Sequence, residues 1–355
     1  MTKLFEPLII RDLAIRNRIW VSPMCQYSAS DGVVGNWHLM HLGSLASGGA
    51  GLVIAEATGV TPEGRISIGC PGLWNEEQVA AWRVITDFVH TQGTNIGVQL
   101  AHAGRKASTM RPGDDHLMAS PEEGGWTAQA PSALAFEGYP VPHELSVSEI
   151  TQIIESFAQA ALNAIAAGFD VLEIHAAHGY LAHQFLSPLS NTRSDAYGGS
   201  FENRTRFLLE VVNAVRSVMP AGMPLFTRIS ATDYVEGGWD LEQSIALAKV
   251  LSEAGCDLID VSSGGNVSGV RIQLEPGYQV PFAETIRREA SVLTSAVGLI
   301  TEAQHAEEIV SQGQADAVMV ARAVMRNPRW PLLVAEELGE IIEWPIQLDR
   351  ARTLR

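Results

Sequence analysis

The sequence predicts a single α/β domain, residues 1–355, wound as a (β/α)8 TIM barrel, and three observations carry that expectation. β-rich and helix-like segments alternate almost from end to end. The β-rich runs are continuously apolar rather than alternating, the pattern of parallel strands covered on both faces. Eight such runs are found, with helical stretches between them. The length of 355 residues would by itself suggest two domains, but α/β barrels hold this many in one. A doubly wound open sheet is the alternative, since strand count alone does not prove closure.

In order along the chain, strands are expected at Ile19–Val21, Gly51–Ala57, Asn95–Leu100, Asp170–His175, Pro224–Ser230, Asp257–Ser262, Ala296–Ile300 and Ala315–Arg322. Helices are expected at Asn75–Gln92, Ser146–Ala167, Phe201–Met219, Leu241–Ala254 and Glu302–Gln312. Ser146-Val-Ser-Glu149 has capping-box spacing, and Asp240 and Thr301 are placed to cap the helices that follow them. Gly168, Gly255 and Gly313 fall where helices should end. Two parts stand outside the alternation. Leu4–Ile10 and Leu13–Arg18 flank Arg11-Asp12 and read as a hairpin capping the barrel base. Residues 104–145, after the third strand, are rich in Gly, Pro, Ser and charge, and a loop that long usually covers a site.

Composition narrows the function classes. The net charge of −16 disfavours a nucleic-acid partner, because the chain would repel phosphate backbones. The three cysteines, Cys25, Cys70 and Cys256, are far apart and form no CxxC pair, so a zinc ribbon or four-cysteine iron–sulfur cluster lacks ligands. Their sparse, odd count fits a reducing cytoplasm rather than a disulfide framework. The N-terminus has no apolar signal-peptide core. No run of about 18 apolar residues predicts a membrane span.

In a parallel barrel the chemistry gathers at the C-terminal strand ends. Those ends read Ser22-Pro23-Met24-Cys25-Gln26-Tyr27, Glu56-Ala57-Thr58, Gln99-Leu100-Ala101-His102, His175-Ala-Ala-His178-Gly-Tyr180, Arg228, Ser262-Ser263-Gly264-Gly265, Gly298 and Ala321-Arg322. A polar residue at nearly every strand end is hard to produce by chance. Two histidines three apart could be zinc ligands, a core pair or a substrate clamp, and for an arbitrary HxxH the core reading is favoured. A metal needs a third protein ligand, and no carboxylate stands nearby in sequence, so no metal is expected. As a clamp, His175 and His178 would hold one carbonyl oxygen and stabilise an enolate oxyanion. Tyr180 could then supply a proton; its bland reading is a barrel-rim aromatic. Arg228 ends a buried strand and needs an acceptor, either a neighbouring acid or an electron-rich ring edge. Glycine at strand 7 and Arg322 at strand 8 suit the common barrel phosphate site.

These residues resemble the Old Yellow Enzyme family of flavoprotein reductases, and within it the bacterial branch called thermophilic-like or xenobiotic-reductase-like. The resemblance spans essentially the whole chain. It is carried by Leu4-Phe-Glu-Pro-Leu, Asn17-Arg18-Ile, Ser22-Pro-Met-Cys-Gln-Tyr27, Glu56-Ala-Thr, Gln99-Leu-Ala-His-Ala-Gly-Arg-Lys106, His175-Ala-Ala-His-Gly-Tyr-Leu181, Phe185-Leu-Ser-Pro, Asn191 to Arg204, and Arg228. It implies FMN held non-covalently at the barrel top, with Ser22, Pro23, Met24, Ala57 and Gln99 in the flavin site. Cys25 would lie near the flavin N5/O4 edge, where most relatives outside the branch carry Thr. Arg228 would face N1/O2, and Arg322, with backbone amides around Gly298 and Ala321, would take the phosphate.

The implied activity is ene-reduction driven by NADPH or NADH. A ping-pong hydride transfer would reduce the activated C=C bond of α,β-unsaturated carbonyl compounds, with nitro compounds a further class. His175 and His178 would bind the carbonyl, Tyr180 would protonate the α carbon, and Tyr27 would help orient the substrate. Ala321 departs from the family, which usually has Gly before the strand 8 arginine, so crowding of the phosphate is expected at most. Pro345-Ile-Gln-Leu-Asp-Arg350 resembles the segment that donates an arginine to a neighbouring subunit's site, implying a homodimer or homotetramer; the alternative is a solvated tail. Physiological substrate, NADPH-versus-NADH preference and stereoselectivity are beyond the sequence.

Overall fold

The apolar runs pair in parallel, and the first and last of them meet. In the computed structural model, which describes residues 2–353, the strands are β1 (Ile19–Val21), β2 (Leu52–Gly59), β3 (Asn95–Ala101), β4 (Val171–Ala176), β5 (Leu225–Ser230), β6 (Leu258–Ser262), β7 (Leu293–Val297) and β8 (Ala317–Val320). Each pairs with the next, and β8 returns to β1 with Met319 opposite Trp20, so the sheet is a closed eight-stranded barrel rather than an open one. Two of the expected strands need correction. The seventh begins and ends three residues earlier than Ala296–Ile300, and the eighth stops at Val320 instead of Arg322.

The helices are α1 (Asn36–Ser47), α2 (Glu76–Thr91), α3 (Val147–Ala167), α4 (Leu181–Leu186), α5 (Phe201–Val218), α6 (Leu241–Glu253), α7 (Val280–Ala290), α8 (Ala303–Ser311), α9 (Arg322–Arg326) and α10 (Trp330–Glu337). Ser146 and Glu149 form the expected capping box on α3, and Asp240 accepts the Gln243 N–H at 2.9 Å. Thr301 is not a cap: Glu302 occupies that position, and the Thr301 carbonyl instead accepts the Trp330 indole N–H at 3.1 Å. The sequence reading lacked α1 and α7 for local reasons. α1 carries Gly43 at mid-helix, close against Phe88, and α7 has Pro281 as its second residue and no side-chain cap.

The N-terminal hairpin is shorter than expected, Leu8–Ile10 against Leu13–Ile15, and it does close the base. Ile10 and Ile15 pack with Trp20, Leu52, Ile54, Val171, Phe226, Leu258 and Met319, and the Trp20 and Phe226 rings stack at 5.7 Å. The long segment 104–145 holds only 3-10 turns and one two-residue strand pair, Gln129–Ala130 with His143–Glu144. No helix among the described residues is long and apolar enough to cross a membrane.

Candidate active site

Side chains two apart on a strand share a face, so β4, β5 and β6 each send a short column into the barrel. The lowest level is apolar, with Val171, Phe226 and Leu258. Two residues on come Glu173, Arg228 and Asp260, and two further on His175, Ser230 and Ser262. In the middle level the Gln99 amide donates to Glu173 at 2.8 Å, Arg228 Nε lies 3.0 Å from Asp260, and Ser295 donates to Asp260 at 2.8 Å. Two buried acids thus face one buried guanidinium. Burial, reinforced by Asp260, pushes the Glu173 carboxyl up to about 8, and burial also raises Asp260 against the pull of Arg228. Arg228 therefore has the neighbouring acid that its bland reading called for, and it also lines the cavity above.

The upper level brings the three expected catalytic residues together. The His175 ring lies 5.2 Å from that of His178 and 4.9 Å from that of Tyr180, edge to face with both. His175 Nδ1 accepts the Ala177 N–H at 3.3 Å, so the neutral ring carries its proton on Nε2. His178 Nε2 lies 2.7 Å from the Ser262 hydroxyl, which in turn lies 3.3 Å from the Gln279 side-chain oxygen that accepts from it. Burial first, then Arg228, holds both imidazoles well below their usual range, hence neutral. Burial raises the Tyr180 and Tyr27 phenols, which keep their protons.

The turn carrying these groups is pinned from beneath. Buried His183 and Asp233 pair at 3.0 Å, and Asp233 also accepts from Ser187 and from the Trp239 N–H. His178 has a left-handed φ of 59°, and a Cβ at Gly265 would come within 2.7 Å of its Cα. The β4 and β6 loops cross here only because that residue is glycine.

The far side of the barrel forms a cavity of about 200 Å3 lined by Arg228, Ser262, Tyr278, Gly298, Ala321 and Arg322, among others. Gly298 lies just beyond β7 at φ 133°, where an added Cβ would press on the Tyr278 ring at 3.1 Å. Arg322 opens α9, rather than ending a strand, and has no carboxylate partner among the described residues. Ala321 stands at φ −116°, so its backbone does not require glycine. An unpaired guanidinium, a turn opened by Gly298 and a second arginine suit a phosphate and the electron-rich edge of a flavin, so the cavity fits FMN.

From β1 to β3, Ser22 is buried and donates its N–H to Val320 at 3.1 Å, while Pro23 and Met24 are half-buried. Cys25, Tyr27 and Tyr180 pack on one small apolar cluster with Ala57, Cys70, Ala101 and Ala103, which places Tyr27 and Tyr180 on a common wall. The sequence reading gave Lys106 no role. Its ammonium donates to the carbonyls of His178 and Gly265, both at 2.9 Å, and lies 5.2 Å from the Tyr180 ring centre. Burial and nearby Arg105 pull it down to about 8. Glu173 has no place in the sequence reading, and Ser262 stands there only as a strand end; the signal is the recurring acid or hydroxyl at alternate positions of otherwise apolar strands. Arg350 is not brought to this site. It is exposed, in a segment following Glu343–Gln347, which lies with Arg16, Ser47 and Gln92 at the barrel base.

Residues 3–340 match the NADH:flavin oxidoreductase / NADH oxidase family. The chain is 48% identical over 352 residues to an NADPH dehydrogenase of Geobacillus thermodenitrificans, covering 98% of each chain. Among solved structures it is similar to morphinone reductase in complex with tetrahydroNAD, with a TM-score of 0.77, 31% identity, and coverage of 96% of this chain and 92% of that one. It is also similar to the old yellow enzyme homologue from Zymomonas mobilis, with a TM-score of 0.78, 29% identity, and coverage of 97% and 95%.

Proposed function

Since the chain belongs to the NADH:flavin oxidoreductase / NADH oxidase family and is an FMN-dependent NADPH oxidoreductase, we propose that it reduces the activated C=C bond of α,β-unsaturated carbonyl compounds. The observation that carries this reading is the cluster at the end of β4, where neutral His175 meets both neutral His178 and the protonated phenol of Tyr180. FMN, when bound, supplies the hydride that passes from the nicotinamide to the substrate's β carbon. His175, from Nε2, and His178 would hydrogen-bond the carbonyl oxygen, with Ser262 and Gln279 fixing the His178 ring. Both bonds strengthen as that oxygen gains charge. Tyr180 would deliver the proton to the α carbon, and Tyr27, on the same wall, would orient the substrate. Lys106, anchored to the His178 carbonyl, would hold the turn in place. The same pocket would serve nicotinamide and substrate in turn, giving ping-pong kinetics.

An anaerobic titration tests the reading. The visible flavin band should bleach with NADPH and return with 2-cyclohexenone. A band that stays bleached with the enone and returns only with oxygen would remove the assignment.

The reading extends to assembly as a homodimer or homotetramer, in which Arg350 would reach a neighbouring copy's pocket. Removing residues 346–355 should then lower substrate affinity and weaken assembly together; no change in either leaves Arg350 a surface residue. The three unpaired cysteines accord with a cytoplasmic setting.

A further inference from the structure

We propose that Cys25, Cys70 and Glu56 form a binding site for a soft d10 cation, Zn2+ or Cd2+, in the wall of the substrate pocket, and that its occupancy inhibits turnover. The two sulfurs and a Glu56 oxygen all lie within 4.8 Å of one another. In a tetrahedral thiolate site with metal–sulfur bonds of about 2.3 Å, neighbouring ligand atoms stand about 3.8 Å apart. Closing the cluster on an ion therefore takes shifts of about 1 Å or less.

Three separate elements hold these groups in place. The ladder between β2 and β3 slips at Glu56, leaving Ala57 opposite Gln99. The bulge turns the Glu56 carboxylate out of the barrel column and toward the segment after β1. There it accepts the Gln26 N–H at 2.8 Å and lies 3.3 Å from His38 Nε2. His38 Nδ1 accepts the Gly35 N–H at 3.2 Å, which leaves Nε2 as the nitrogen facing Glu56, close to it but outside hydrogen-bond geometry. Such an outer partner fixes a ligand carboxylate in other metal sites. Cys70 comes from the turn after β2, which is tied back by the pairing of Gly59 with Gly72. Cys70 and Glu56 are 0% and 3% exposed, whereas Cys25 is only half-buried. The cluster is thus sealed behind and open toward the pocket, and it leaves a fourth coordination position for water.

The ligand set selects the ion. Two thiols and one carboxylate favour thiophilic cations over Mg2+ or Ca2+. Binding replaces two thiol protons with one divalent ion, releasing two protons. The crowding of Cys70 and Glu56 around Cys25, which holds its thiol well above the usual range, is relieved by that exchange. Tyr27 and Tyr180 pack on the same cluster, so an ion there alters the wall that the substrate meets.

Cd2+ titration of the purified, thiol-reduced protein, with and without FMN, tests the site. A saturable one-to-one thiolate-to-cadmium ultraviolet band with release of two protons is expected. It should be absent in Cys25→Ser and in Cys70→Ser, and weakened about 10-fold or more in Glu56→Gln; Mg2+ should neither produce it nor compete. X-ray absorption on the unsubstituted protein should count two sulfurs around cadmium, a reading that does not depend on any variant folding. No saturable band, a band that persists in Cys70→Ser, or fewer than two sulfurs overturns the proposal. The band is read without enone, so it stands apart from the substrate assignment.

Discussion

The two halves of the barrel mouth are built from different materials. Over β4 to β6 the site is made of side chains: a histidine pair, a phenol, and beneath them Glu173, Arg228 and Asp260 locked by hydrogen bonds and one ion pair. Over β7 and β8 it is made largely of backbone, with Gly298 and Leu299 at positive φ and a short helix opened by Arg322, whose charge has no acidic partner among the described residues. A pocket that must recognise the changing charge of a reacting molecule needs specific donors of fixed tautomer. A pocket that holds a constant anion needs only amides and positive charge. The two halves should therefore fail in different ways.

The largest effect is expected from replacing both His175 and His178 with Ala. Enone reduction by the reduced enzyme should fall by about 1000-fold, because oxyanion donors typically contribute factors of 100 to 1000. FMN retention should hardly change. Rapid-mixing of reduced protein with enone measures the first quantity, and flavin content after gel filtration the second; flavin loss that matches the rate loss would erase the division. Arg322→Ala should do the reverse. FMN binding should weaken by about 100-fold, in line with loss of charge-assisted hydrogen bonds, while the flavin-saturated fraction turns over normally. Fluorescence titration of apoprotein with FMN reads this directly.

The smallest effect concerns the web under the histidines. Glu173 is raised from 4.5 to about 8, so the folded chain keeps a proton that the unfolded chain releases between those values. The stability this confers is complete below about pH 4.5 and is lost as pH rises through about 8. Glu173→Gln should flatten that decline, moving the melting temperature by about 2 °C relative to the parent between pH 6 and 9. Parallel melting curves would show that Glu173 is not the titrating group.

The same division explains what the sequence made legible. The side-chain half announced itself, because His175, His178, Tyr180 and Arg228 are chemically conspicuous at the ends of apolar runs. The backbone half did not. Val297-Gly-Leu-Ile300 reads as strand by composition, yet Gly298 and Leu299 leave β conformation to shape the cavity. Arg322 looked like a strand end because the apolar run continues to it, whereas the ladder stops at Val320 and a helix begins. The bulge at Glu56 was invisible because Ala55-Glu56-Ala57 carries no glycine or proline to mark it, and only the pairing with β3 displaces one of these residues. Closure of the barrel, too, is a property of pairing between β1 and β8 that no local pattern reports.

The plugged base has a consequence for water and protons. With Ile10 and Ile15 seated under the stacked Trp20 and Phe226, the interior is a well with an apolar floor among the described residues. Glu173 and Asp260, both buried above that floor, would trade protons with solvent through the mouth. FMN held at that mouth would then slow the exchange of protons between these acids and solvent, as well as supplying the hydride.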